Sequence, residues 1–286
     1  MNRKPIKFHE DCRNGGLNRR EFLGKLALLA GGMAAAGTLQ PWAGPGPALA
    51  QVTAKDDPRL DTGYVTYRGE TGDVRAYAAK LKGEGKRPGV IVIHEIWGLN
   101  AHIEDIARRL ALEGFHAIAP DALSPLGGTP TDRDQARSLI QKLDPQQNTR
   151  NYVAAVEYLK SRPQATGKVG CLGFCWGGAV TNQVAAHAPA LTAAVPFYGS
   201  QPAAEDVSRI RASILIHYAS DDERINVGIP AFEAALKAAS VDYKMFMYEG
   251  TAHAFFNDAN PSRYNKEAAQ LAWERTIAFL KEKLKT

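Results

Sequence analysis

Cys175 lies in Gly173-Phe174-Cys175-Trp176-Gly177-Gly178, directly behind one apolar run and directly ahead of another. Glycines two residues to either side of a reactive side chain mark a sharp strand-to-helix turn. Such a turn strains the backbone of its central residue and presents that side chain for chemistry. A Cβ two positions away on either side would collide with the neighbouring strand or helix. A thiol held there becomes a nucleophile once a base takes its proton and a carboxylate orients the base. The partners belong further along the chain, acid first and histidine last. Asp222 follows the apolar run Ser213-Ile214-Leu215-Ile216-His217-Tyr218 and precedes Ile225 by three residues, a register that favours it over Asp221. Asp221 reads as a loop or helix-capping residue. His253, in Gly250-Thr251-Ala252-His253-Ala254-Phe255, follows the last apolar run, and Gly250 lets the chain turn before it. Of the other histidines, His217 reads as an interior residue and His94 as a structural one.

A nucleophile of this kind attacks a carbonyl, and the tetrahedral oxyanion then needs two backbone N–H donors. Trp176, at the start of the following helix, supplies one, aided by the helix dipole. The loop His94-Glu95-Ile96-Trp97-Gly98-Leu99-Asn100 supplies the other, from Ile96. Each such donor contributes about 3 kcal/mol of transition-state stabilisation. Glu95 is the unusual residue, because a carboxylate beside an oxyanion hole repels the charge that develops there. Beside a cysteine it has a use: a neutral thiol hydrogen-bonded to a carboxylate is protected until substrate arrives. The alternative reading makes Glu95 a helix cap or the partner of a nearby arginine.

These residues need a scaffold, and the pattern after residue 60 alternates strands with helices. Strands are expected at 64–68, 74–80, 89–94, 116–119, in the elbow run, and at 193–197, 213–218 and 243–248. The run Gly89-Val90-Ile91-Val92-Ile93-His94 is continuously apolar, as in a strand buried on both faces. Helices are expected after Asn100, at 132–143, 149–161, 177–187, 229–240 and 265–284. Residues 121–131 form a long loop. The fold class is α/β, an α/β-hydrolase fold with a doubly wound, mostly parallel sheet and helices on both faces.

The first 50 residues stand apart. Asn18-Arg19-Arg20-Glu21-Phe22-Leu23 resembles a twin-arginine export signal, followed by a glycine-softened apolar stretch and the small-residue site Ala48-Leu49-Ala50. The stretch is a poor membrane span, since a span needs about 20 strongly apolar residues; an uncleaved anchor is the alternative. The reading is a signal peptide over 1–50, one domain over 51–286, export through the twin-arginine machinery, and a periplasmic or secreted monomer free of the membrane. The leader holds seven of the 35 basic and three of the 30 acidic residues, so 28 basic and 27 acidic residues remain. That balance gives no basic surface for nucleic acid. Cys12 leaves with the leader, and a Cys171–Cys175 disulfide is disfavoured because Cys171 lies mid-strand before a turn that leads away from it.

Together, His94-Glu95-Ile96-Trp97-Gly98-Leu99-Asn100, Ala119-Pro120-Asp121, the cysteine elbow, Asp222 and Gly250-Thr251-Ala252-His253-Ala254-Phe255 resemble the dienelactone hydrolase (carboxymethylenebutenolidase) family over most of residues 60–284. The resemblance implies a Cys175–His253–Asp222 triad with Glu95 gating the thiol. It implies hydrolysis of a small-molecule enol lactone or activated ester through a thioester, with no metal or organic cofactor. It also implies arginines that anchor a substrate carboxylate: Arg137 matches the first, with Arg133 as its competitor. The place of the second reads Phe256-Asn257, with Arg263 further along, so the substrate need not be a dienelactone. Two other readings stay open, a broad exported carboxylesterase or acyltransferase with the same triad, and a non-catalytic, thiol-bearing binding protein.

Overall fold

Val90, Ile91, Val92 and Ile93 are all fully buried, yet they serve two different cores. Successive side chains of a strand point to opposite faces. Val90 and Val92 pack with Ile103, Ile106, Leu110 and Leu280 on one face. Ile91 and Ile93 pack with Tyr152, Val156, Leu159, Val180 and Val184 on the other. A strand apolar at every position therefore requires helices on both sides, and the chain supplies them.

The computed structural model describes residues 52–285; the twin-arginine motif, the cleavage site and Cys12 lie outside them. The described elements are β1 (Leu60–Gly69), β2 (Gly72–Leu81), β3 (Arg87–Ile93), α1 (Ala101–Leu112), β4 (His116–Pro120), α2 (Arg133–Ile140), α3 (Pro145–Lys160) and β5 (Ala165–Phe174). They continue with α4 (Trp176–His187), β6 (Ala193–Phe197), α5 (Ala204–Val207), β7 (Ser213–Asp221), α6 (Glu223–Asn226), α7 (Ile229–Ala238), β8 (Tyr243–Ala252) and α8 (Lys266–Leu284). One eight-stranded sheet runs in the order β1-β2-β4-β3-β5-β6-β7-β8. β1, β2 and β4 pair antiparallel, and every pairing from β4 through β3 to β8 is parallel. This is the doubly wound α/β-hydrolase class expected from the pattern.

Two boundaries differ from expectation for identifiable reasons. α3 starts at Pro145 rather than 149, because Asp144 accepts from the Gln147 N–H and Pro145 occupies the first turn, where a missing N–H costs nothing. β7 runs on through Asp221, three residues past the expected end, and delivers Asp222 directly at its tip.

The elbow is built by close backbone contact. Cys175 has φ 57° and ψ −115°, a left-handed φ that L residues avoid, and its N–H donates to the Phe197 carbonyl at 3.0 Å. A Cβ on Gly173 would press on Thr181 Oγ1 at 2.6 Å, and one on Gly177 would press on the Ile93 carbonyl carbon at 2.9 Å. Neither neighbour is the free end of a flexible side chain. Gly177→Ala therefore costs about 1–3 kcal/mol by overpacking. Gly63→Ala is the control, because a Cβ there meets nothing within 4 Å. Thermal melts of the two variants should show a lowered Tm for the first only; equal melts would mean that α4 can shift away from β3 at no cost.

Candidate active site

Three strand ends bring the expected residues together. β5 ends at Phe174 and presents Cys175; β7 ends at Asp221 and presents Asp222; β8 ends at Ala252 and presents His253. The His253 Nδ1–H donates to Asp222 Oδ2 at 2.5 Å. The Asp222 turn is held in place by Asn226, whose Nδ2 donates to the carbonyls of Ala219 at 2.8 Å and Ser220 at 3.0 Å. His253 Nε2 is buried and has no hydrogen-bond partner among the described residues. It shares with Cys175 a cavity of about 390 Å³, also lined by Ile96, Trp176, Tyr198, Arg137 and Arg224.

Burial pulls the His253 pKa down, but the Asp222 hydrogen bond and the neighbouring Cys175 outweigh it and raise the pKa to about 9. Tyr198 packs its ring against His253 with centroids 5.1 Å apart. Its backbone is also left-handed, at φ 37°, and its buried hydroxyl has no partner among the described residues.

The loop between β3 and α1 brings Ile96 to the cavity as expected. Its N–H and that of Trp176 have no acceptor among the described hydrogen bonds, and Trp176 opens a helix whose first N–H groups are unpaired by construction. One loop residue, Glu95, stands apart from the roles read for it in two respects. Glu95 does not cap α1, because Asn100 does, accepting from the His102 and Ile103 N–H groups. Nor is Glu95 hydrogen-bonded to Cys175. Its Oε2 accepts from Asn257 Nδ2 at 2.6 Å, and it lines a second cavity of about 340 Å³ with Trp97, His102, Thr129, Arg133 and Asn257. An amide N–H is a stronger donor than a thiol, so the buried carboxylate takes the amide. Burial pushes the Glu95 pKa up, opposed by His102, the Asn257 hydrogen bond, His253 and Arg133. The two candidate arginines part company: Arg137 lines the Cys175 cavity, and Arg133 lies over the Trp97 ring at 4.4 Å in the Glu95 cavity.

Asn257 was legible only as a departure from a family pattern. The available signal was physical, since a buried glutamate must find a donor. The next residue, Asp258, anchors this loop: it accepts from His102 Nδ1 at 2.9 Å and from Arg109 Nη2 at 2.5 Å. Arg109 Nε donates to Asp105 at 2.7 Å, and Asp105 also accepts the backbone N–H groups of Val52 and Thr53. A buried ion-pair chain thus ties the first described residues, through α1, to the loop behind His253. Nothing in the hydrophobic periodicity marks such a chain. Cys171 and Cys175 are both free thiols, Cys171 fully buried in β5.

The sequence profile of the dienelactone hydrolase family matches residues 74–284. A candidate carboxymethylenebutenolidase of Saccharolobus solfataricus is 33% identical over 255 residues, covering 76% of this chain and 97% of that one. The protein usf of Aquifex pyrophilus is 39% identical over 225 residues, covering 74% and 94%. Among solved structures, a dienelactone hydrolase-like promiscuous phosphotriesterase from metagenomic libraries superposes with a TM-score of 0.72 at 28% identity, covering 79% of this chain and 99% of that one.

The His253–Asp222 pair has a consequence for stability. A histidine whose pKa rises from 6.5 to about 9 on folding binds its proton more tightly in the folded state. Its contribution is complete below about pH 6.5 and is lost as pH rises through about 9, on the order of 3 kcal/mol in all. Urea midpoints measured across that window should fall for the native protein and lose that fall in His253→Gln. Parallel curves for the two would show that the pair adds nothing to folding.

Proposed function

Because this chain belongs to the dienelactone hydrolase family, we propose that it hydrolyses a carboxylic ester or lactone by a Cys175–His253–Asp222 triad through a thioester. The observation that carries the reading is the 2.5 Å bond from His253 to Asp222, with His253 Nε2 left free in the cavity that holds Cys175. The thiol proton passes to His253 Nε2, where the raised pKa of the ring favours it, and the sulfur attacks the substrate carbonyl. The oxyanion accepts from the Ile96 and Trp176 N–H groups at the mouth of α4, whose dipole adds to both. The tetrahedral adduct collapses as the C–O bond breaks, and the alcohol leaves with the proton from His253. Water then loses a proton to His253, attacks the thioester, and the acid departs as the proton returns to sulfur. No metal or organic cofactor takes part in this scheme.

Arg137 and Arg224 have no carboxylate partner among the described ion pairs, and both line the Cys175 cavity. Two free guanidinium groups beside the nucleophile suit a substrate that carries its own anionic group. Glu95 gates the thiol in this reading, turning from Asn257 toward Cys175 when the site is empty of substrate. The alternative of a broad carboxylesterase is separated by rates on neutral p-nitrophenyl esters against an enol lactone bearing a carboxylate. Cys175→Ser should lose about 10³-fold or more in kcat/KM on both, and iodoacetamide should block the native enzyme at one equivalent. Full activity in Cys175→Ser would end the proposal.

Residues 1–50 support export, with the mature chain of 236 residues acting in the periplasm or outside the cell. Replacing Arg19 and Arg20 by lysine should hold a leader-bearing chain in the cytoplasm, read by cell fractionation. Undiminished export of that variant would remove the twin-arginine assignment.

A further inference from the structure

His94 reads from sequence as a structural residue, but its contacts converge on both donors of the oxyanion hole. It is fully buried at the end of β3. Its Nε2 lies 3.2 Å from the Ala122 N–H, and a backbone N–H can only donate. Nε2 is therefore the bare nitrogen and Nδ1 carries the proton. Nδ1–H points at the Glu95 carbonyl oxygen, 2.6 Å away. Burial lowers the pKa of this ring, consistent with the neutral form that this arrangement needs.

The Glu95 carbonyl and the Ile96 N–H belong to one peptide unit. In a trans peptide the two point in opposite directions, and the unit is planar, so fixing one fixes the other. A peptide between two loop residues is otherwise free to flip. Gly98 N–H also donates to the Glu95 carbonyl, at 3.3 Å, closing the turn from the same side. On its other flank, the His94 ring stacks on the Trp176 indole, with centroids 5.4 Å apart and planes within 16°. Trp176 carries the second donor. The backbone of His94 abuts α4 as well, since a Cβ on Gly177 would run into the His94 carbonyl oxygen.

We propose that His94 is a positioning residue of the oxyanion hole: its Nδ1–H locks the Glu95–Ile96 peptide with the Ile96 N–H facing Cys175, and its ring braces Trp176. The proposal rests on the reading of Cys175 as an acyl-accepting nucleophile. It requires no contact between His94 and substrate, and no change in its protonation during turnover. Because the hole acts on a charge absent from the ground state, loss of His94 weakens kcat and leaves KM almost untouched.

The test compares two reactions of Cys175 in the full chain. Hydrolysis of p-nitrophenyl acetate passes through an oxyanion. Alkylation by iodoacetamide displaces iodide at a saturated carbon and forms none. His94→Leu should lower kcat for the ester about 10²-fold, the order seen when an oxyanion donor is lost, with KM within about twofold. Its alkylation rate and the pH dependence of that rate should match the native protein. His94→Asn places an amide donor near the position of Nδ1 and should recover most of the loss. An unchanged kcat in His94→Leu would overturn the proposal, and so would equal losses in hydrolysis and alkylation, which would mean that His94 serves the thiol or the fold. Where His94→Leu yields no folded protein, His94→Gln decides alone, because its amide reaches the place of Nε2 and not of Nδ1: kcat should fall several-fold at constant alkylation, and no fall would overturn the proposal. Full ester turnover in Cys175→Ser would instead remove the reading beneath it, whatever His94 does.

Discussion

The site depends on one steric constraint, the near contact of α4 with the ends of β3 and β6. Gly173, Gly177, Gly178 and Gly199 all lie where a Cβ would strike a neighbouring atom at 3.0 Å or less. Because those backbones touch, the helix begins immediately after Cys175, and the residue at the junction is forced to φ 57°. The same approach sets the N-terminus of α4 beside the loop that follows β3. The candidate nucleophile, the helix dipole and both candidate oxyanion donors are thus placed by a single packing arrangement. A strained residue of this sort costs of order 1–3 kcal/mol and persists only where its surroundings over-determine it. Here the Cys175 N–H bond to Phe197 and the interdigitated glycines do so.

Much of this was legible in the chain because the relevant signals are local. Glycine spacing around Cys175, the apolar run of β3 and the order of Asp222 and His253 each follow from short stretches of sequence. The parallel strands appeared near their expected places for the same reason. What was not legible is long-range. Glu95 finds its donor 162 residues away in Asn257, and Asp258 reaches back 149 residues to Arg109. Such partners follow from which side of a loop faces which cavity, and periodicity carries no information about that. Arg224 lies near Asp222 on a four-residue helix, and no sequence pattern marks it as cavity-lining. The contacts of His94 are hidden for a related reason, since they involve the plane of a peptide bond that sequence does not display.

The surroundings of His253 and Glu95 show how burial is used in opposite directions. Both groups are desolvated, and desolvation alone would leave each neutral. At His253 a carboxylate at hydrogen-bond distance reverses the effect, and the ring holds a proton more firmly than in water. At Glu95 the opposing contributions from His102, Asn257, His253 and Arg133 reduce the rise without cancelling it. The difference is one of contact. Asp222 touches the imidazole directly with its carboxylate, whereas the Glu95 carboxylate, among the described residues, accepts from a neutral amide.

A carboxylate next to an oxyanion hole looks self-defeating, and the magnitudes say why. Two unit charges about 4 Å apart at an effective dielectric of 20 repel by about 4 kcal/mol. One oxyanion donor contributes only about 3 kcal/mol. A Glu95 carboxylate facing the reacting carbonyl would therefore erase more than the Ile96 N–H would supply in the proposed scheme. The loop avoids the conflict by using the two sides of its backbone. The Glu95 side chain leaves toward Asn257 and the Arg133–Trp97 stack, into its own cavity. The adjoining Ile96 lines the other cavity, with Cys175. Glu95 and Ile96 are neighbours in sequence but line different cavities. That separation lets a buried glutamate stand one residue from the proposed oxyanion donor, provided the peptide between them does not turn over.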